Sequence, residues 1–229
     1  MTEATGATPV GTAPPPATTP TRPTAARWWH GAVAVIALVG VLMEVVTAVV
    51  EGPGTAPTHT ERIVRVFSYF TIQSNLLVGI TCLLLALDPR RDGPVFRVAR
   101  LDGLLCIAVT GVVYHTALRG LVDLTGAGVI SNLLLHTGAP VVAVMGWLLV
   151  GPRPRTGART VWWSVVLPLA WIAYTFLRGA VVDWYPYPFL DVSAIGYPQA
   201  LASTAVVAVL FLALAAVVGV VDRRLRPAP

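Results

Sequence analysis

Residues 29 to 50 read WHGAVAVIALVGVLMEVVTAVV. A bilayer core about 30 Å thick takes roughly 20 apolar residues of helix to cross. This run is long enough, and Glu44 is its one acidic side chain. Five further runs of the same kind follow at 67–87, 101–121, 130–150, 162–182 and 199–221. Between them stand Gly, Pro and charge: EGPG from Glu51, DPRRDG from Asp88, GPRPRTG from Gly151 and WYPYP from Trp184. Backbone facing lipid must satisfy its own hydrogen bonds, so such breakers belong at the interfaces. The reading is an all-α, polytopic membrane bundle of six transmembrane helices spanning 29–222.

Composition agrees with that reading. Of the 229 residues 55% are hydrophobic and 12% charged, with a mean hydropathy of +0.73, whereas soluble domains carry about 25% charge. Six spans leave room for short loops but no separate soluble domain. Residues 1–28, rich in Pro, Thr and Ala, bury too little to offset the entropy of ordering and are expected to form a disordered tail. Nothing like the apolar core of a signal peptide precedes the first span. A short basic tail is expected at 223–229.

The net charge of +5 comes from arginine alone, without lysine. The arginines gather at helix ends rather than on one basic face, which argues against a nucleic-acid partner. Arg22, Arg27, Arg90, Arg91, Arg97, Arg100, Arg153, Arg155, Arg159, Arg223, Arg224 and Arg226 fall on one side of the expected topology. Arg62, Arg65, Arg119 and Arg178 fall on the other. The positive-inside rule then puts both termini in the cytoplasm, an N-in, C-in arrangement. The lack of lysine and the wealth of Ala, Val, Gly and Pro match a GC-rich bacterial genome, hence a bacterial cytoplasmic membrane. Cys82 and Cys106 lie inside apolar runs and read as free, buried thiols.

Polar side chains at membrane depth cost about 2.5 to 3.5 kcal/mol on insertion scales, and they tend to face the bundle interior. In this topology Glu44, Thr71, Gln73, Ser74, Asn75, His115, Arg119, Asn132, His136, Tyr174 and Arg178 all fall in the outer half. Far apart in sequence, they share one level, as in a cavity that opens outward. Thr71 with Asn75, His115 with Arg119, Asn132 with His136, and Tyr174 with Arg178 are i, i+4 pairs, each on one face of its helix. The opposite half offers only Asp102, Cys82, Cys106 and Ser164, too little for a polar path across the membrane. Two histidines without a third or a thiolate make no metal set, and no metal or other cofactor is expected.

A hydroxyl becomes a useful nucleophile when a neighbouring base takes its proton, and histidine suits that task. Thr71 or Ser74 supplies a hydroxyl, and His136 or His115 a base. Asn75, Asn132 or Arg178 offers hydrogen bonds to a developing oxyanion. Glu44, Asp183 and Asp191 are the carboxylates that could orient the histidine. The plainer alternative is a non-catalytic membrane protein, transporter-like or a packing and assembly partner, whose polar groups bridge helices or line a binding cavity. Nothing in the sequence speaks to an oligomeric partner.

Three stretches carry a resemblance: SYFTIQSNLL (68–77), NLLLHTGAPV (132–141) and WYPYPFLDV (184–192). Over roughly 61–221 the chain resembles the androgen-induced and FAR-seventeen-a family of six-span membrane proteins, and most closely its bacterial integral-membrane branch. The resemblance implies a threonine hydrolase of fatty acid esters of hydroxy fatty acids, acting on a membrane lipid or lipid-ester substrate. The family's nucleophile corresponds to Thr71, within the run Phe70, Thr71, Ile72. Its histidine corresponds to His136, which follows Asn132 and precedes Thr137 and Pro140. Its aromatic-Pro-Phe-Leu-acid loop corresponds to residues 187–191. The stretch YHTALRG (114–120) has no clear equivalent in the animal members, which leaves His115 and Arg119 outside what the resemblance implies.

Overall fold

A computed structural model describes residues 22–152 and 157–225. Six helical spans are long and apolar enough to cross a membrane: Thr24–Val50, Phe70–Leu87, Pro94–Leu118, Ala127–Val150, Ala158–Val182 and Val192–Arg224. Regular structure among the described residues is entirely helical.

The spans alternate in direction. At one end Arg27 Nε donates to Ala86 O at 3.0 Å and the Arg100 guanidinium reaches the carbonyls of Gly151 and Pro152. That arginine-rich end gathers the starts of α1 (Arg22–Val50) and α4 (Pro94–Val113) with the ends of α3 (Phe70–Leu87) and α6 (Ala139–Val150). Helix α4 is the core element, buried from Leu101 to Gly111 apart from Ala108. Leu105, Cys106 and Val109 meet Trp147 of α6 and Phe211 of α9 (Val192–Arg224). On its other side Ile107 joins Val33 and Ala37 of α1 and Val78 of α3. Both cysteines are free and buried.

Several boundaries differ from the apolar runs, each for a local reason. Helix α1 begins at Arg22, and Ala25 and Ala26 carry it into the apolar run at no side-chain entropy cost. Residues 22–28 of the expected tail are therefore helical, and residues 1–21 lie outside the described residues. The expected basic tail is partly helical too, since α9 runs to Arg224, with 226–229 not described. The first loop holds a helix, α2 (His59–Ser68), whose N-cap Thr58 accepts from Glu61 N–H.

The run at 67–87 is broken at Tyr69, where the backbone is extended. Trp171 Nε1 donates to Ser68 O at 3.0 Å, and the Tyr174 hydroxyl meets Ser68 Oγ at 2.7 Å, so the break has partners in α8 (Val166–Val182). The fifth span divides into α7 (Ala158–Ser164) and α8, since Pro168 cannot donate back into the preceding turn. Helix α9 starts at Val192, capped by Asp191, and kinks at Gly196 just ahead of Pro198.

Two spans carry a π-helical turn. Helix α4 widens over Tyr114–Leu118, and the fourth span runs as α5 (Ala127–Leu133), a π turn at Leu134–Gly138, then α6. Pro140 explains the second: it has no N–H for the carbonyl four residues back, and the chain loosens just before it. Gly111 of α4 faces that point, where an added Cβ would stand 2.9 Å from Pro140 Cβ.

Candidate active site

The break at Tyr69 puts Thr71 in the first turn of α3, where backbone N–H groups lack helical partners. Thr71 N–H donates instead to the Tyr187 hydroxyl at 3.2 Å, and that hydroxyl also lies 3.2 Å from Thr71 Oγ1. From the π turn of the fourth span, His136 brings Nε2 to 3.2 Å from Thr71 Oγ1. Its other nitrogen, Nδ1, lies 3.2 Å from the Asn132 carbonyl. A carbonyl can only accept, so Nδ1 carries the proton in the neutral ring and Nε2 presents its lone pair to the threonine. The Tyr114 ring stacks on His136 with centroids 4.2 Å apart, and Asn132 Nδ2 donates to the Tyr114 hydroxyl at 2.6 Å.

Tyr187 belongs to the loop between α8 and α9, which folds back into the bundle. The Tyr185 ring packs on Gly179, where a Cβ would overlap the ring, and Leu190 is buried. Burial pushes the Tyr187 phenol up to about 12. The group therefore stays protonated and serves as a hydrogen-bond donor.

The sequence candidates separate cleanly. Thr71, His136 and Asn132 come together. Asn75 is fully buried, but Nδ2 is spent on the carbonyls of Thr71 and Leu135, at 2.8 and 3.2 Å, and Oδ1 has no partner. It ties α3 to the π turn and cannot donate to an oxyanion. Asn132 Nδ2 gives one of its two hydrogens to the Tyr114 hydroxyl. Ser74, the other candidate hydroxyl, is buried against Thr110 Oγ1 and Thr71 O. None of the three carboxylates orients His136: Glu44 accepts from Ser131 Oγ, Asp183 is the exposed C-cap of α8, Asp191 caps α9, and the orienting group is a backbone carbonyl.

His115 and Arg119 are not one helical face. The π turn ends between them, Arg119 is extended and exposed, and exposed His115 pairs with Thr137 Oγ1 at 3.1 Å. Tyr174 and Arg178 do share a face, but it addresses α2. Tyr174 holds Ser68, and Arg178 pairs with Glu61, which also binds Arg65 at 3.0 Å. Both guanidinium groups lie over Trp184, at 4.8 and 5.1 Å from its ring centroid. These residues clamp α2 to α8 and to the loop leading into Tyr187. Burial pushes the Glu61 carboxyl up, but the hydrogen bonds and charges of Arg178 and Arg65 outweigh it and hold Glu61 below its ordinary value.

Two cavities meet at Thr71. One, of about 300 Å³, is bordered by Glu44, Tyr114, Asn132 and His136 together with apolar groups such as Ile72 and Leu124. The other, of about 320 Å³, runs between Val109, Trp171, Val207 and Phe211 and is almost wholly apolar. Thr71, Leu118 and Tyr187 border both. At the arginine-rich end, His30 and Asp222 are buried in addition to Asp102, more polar groups there than the sequence expectation allowed. Along α3 the buried Val78, packed on Val33 and Ile107, falls between that region and Thr71. Among the described residues no three His, Cys, Asp or Glu side chains gather as a metal set.

Tyr187 and Tyr114 are the parts of the site that sequence reasoning left without a role. For Tyr187 the signal was the aromatic-Pro loop, whose inward fold depends on contacts with α8. A scan against protein-family models and searches of curated proteins and of solved structures found no match for this chain.

Proposed function

We propose that this chain is a multi-pass membrane hydrolase of lipid esters, with Thr71 as nucleophile and His136 as general base and then acid. The observation that carries the reading is the Thr71 Oγ1 to His136 Nε2 approach at 3.2 Å, with Nδ1 fixed by the Asn132 carbonyl. The resemblance to the androgen-induced and FAR-seventeen-a family points to the same two residues and to the fatty acid ester class. Charge asymmetry supports an N-in, C-in chain with the Thr71 end of the bundle facing outward, and the lysine-free, Ala- and Val-rich composition supports a bacterial cytoplasmic membrane.

In the reaction Thr71 Oγ1 attacks the ester carbonyl carbon while its proton passes to His136 Nε2. Negative charge develops on the carbonyl oxygen, and the Tyr187 O–H, with the partly positive first turn of α3, stabilises it. Collapse expels the alcohol, which takes the proton from Nε2. Water then attacks the Thr71 ester, His136 again receives and returns a proton, and a free acid leaves. The apolar cavity suits the acyl chain, and the cavity beside His136 suits the departing alcohol.

The protein purified in detergent should release fatty acid from a lipid ester. His136→Ala should lower kcat by about 10²–10⁴, as expected for loss of a general base, and Thr71→Ala should lower it at least as far. Interhelical bonds such as Ser74 to Thr110 and Glu44 to Ser131 favour a second reading, that of a packing or assembly protein. Unchanged hydrolysis in both variants, together with lowered thermal stability, would select it.

A further inference from the structure

We infer that the same site transfers acyl groups to a lipid-like alcohol, so that transesterification accompanies hydrolysis. The inference rests on the hydrolase reading and follows from the two cavities that meet at Thr71. An acyl chain esterified to Thr71 lies in the apolar cavity, which holds no base. Whatever next attacks the carbonyl must approach past His136 Nε2, through the other cavity. The departing alcohol leaves by that route, because Nε2 is what protonates it. By microscopic reversibility a site that binds the departing alcohol also binds an incoming one.

Size and lining then decide what enters. The cavity of about 300 Å³ is tenfold larger than the roughly 30 Å³ a water occupies in the liquid. Ile72, Leu124, Leu135 and Pro188 give it apolar walls around the polar groups at His136. Such a space favours an amphiphile over water. A bound alcohol held against the acyl carbon gains an effective molarity of about 10⁵ M or more when well oriented, against roughly 55 M for bulk water. The step balances without any further reagent. The acceptor oxygen bonds to the carbonyl carbon as its proton passes to Nε2, the bond from that carbon to Thr71 Oγ1 breaks, and the proton returns to Thr71. One ester and the free threonine result.

The test uses the full chain in phosphatidylcholine nanodiscs, which supply no free alcohol. It is given p-nitrophenyl decanoate as donor and either 1-octanol or glycerol as acceptor. Nitrophenolate reads acylation, and mass spectrometry reads decanoic acid against decanoate esters. Octyl decanoate should form with octanol and depend on Thr71, while glycerol at the same concentration should yield chiefly decanoic acid. Leu124→Trp, which narrows the cavity, should shift the ratio of octyl ester to acid toward acid. Acid without octyl ester overturns transfer and leaves the hydrolase reading standing. Equal ester from octanol and glycerol, or a ratio untouched by Leu124→Trp, overturns the assignment of the cavity. No product above that of the Thr71→Ala protein overturns both readings.

Discussion

One hydrogen on Thr71 Oγ1 has two neighbours, His136 Nε2 and the Tyr187 oxygen, both at 3.2 Å. With Nδ1 donating to the Asn132 carbonyl, His136 Nε2 can only accept, so the threonine proton points at the imidazole and the Tyr187 O–H donates to Oγ1. In the proposed reaction the two groups would act in sequence: His136 would take the proton, and the Tyr187 O–H would turn from Oγ1 to the charge developing on the carbonyl oxygen. Tyr187→Phe removes that donor while keeping the ring contacts with Tyr69 and Phe189. It is expected to lower kcat by about 10²–10³ with little change in KM, as loss of one oxyanion donor does. Steady-state hydrolysis by the variant checks this. His136 and Thr71 were among eleven polar residues that their expected depth marked in the sequence, and the family resemblance alone separated them from Ser74 and His115. Depth marked Asn75 as well, yet its role depends on which of its atoms is free, and that is set by the Leu135 carbonyl across the interface.

At the scale of elements, the π turn that presents His136 depends on Pro140, and Pro140 depends on the space left by Gly111. A methyl at Gly111 would meet the rigid ring at 2.9 Å, with nothing flexible to yield. Gly111→Ala should cost about 1–3 kcal/mol and, by shifting the turn, should lower activity more than it lowers the melting temperature would suggest. Thermal melts beside kinetics check it. The clamp of α2 through Glu61, Arg65 and Arg178 makes a prediction in pH. Glu61 is held below its ordinary value in the fold, so its contribution is present at neutral pH and fades as pH falls through that lowered value. The gap in melting temperature between the wild type and Glu61→Gln should therefore be constant at pH values above the ordinary glutamate range and should narrow as pH falls through the lowered value of Glu61. The apolar run at 67–87 gave no hint of the break at Tyr69, since Trp171 and Tyr174, far along the chain, supply its partners. Pro140 and Pro168 each stand inside an apolar run, and that setting hid the breaks they cause.

Across the whole molecule, the six spans were legible because hydropathy alone sets where a chain can cross lipid. That Thr71 and His136 lie at one level was legible too, since helices that alternate in direction convert sequence position into depth. What depth could not distinguish was direction around each helix. Thr71 and His136 turn toward each other, while Tyr174 and Arg178 at the same level turn toward α2. The inward fold of the 183–191 loop escaped for a related reason. Its burial rests on the close seat of Tyr185 on Gly179 and on Trp184 beneath two arginines. The central claim is that a threonine hydroxyl, buried among six spans, is activated by the imidazole beside it. Its most direct test is labelling of the intact protein in membranes with a fluorophosphonate, with the adduct mapped by peptide mass spectrometry. The account predicts an adduct on Thr71, abolished in Thr71→Ala and strongly reduced in His136→Ala. An adduct on another residue, or labelling that persists without Thr71, would contradict it.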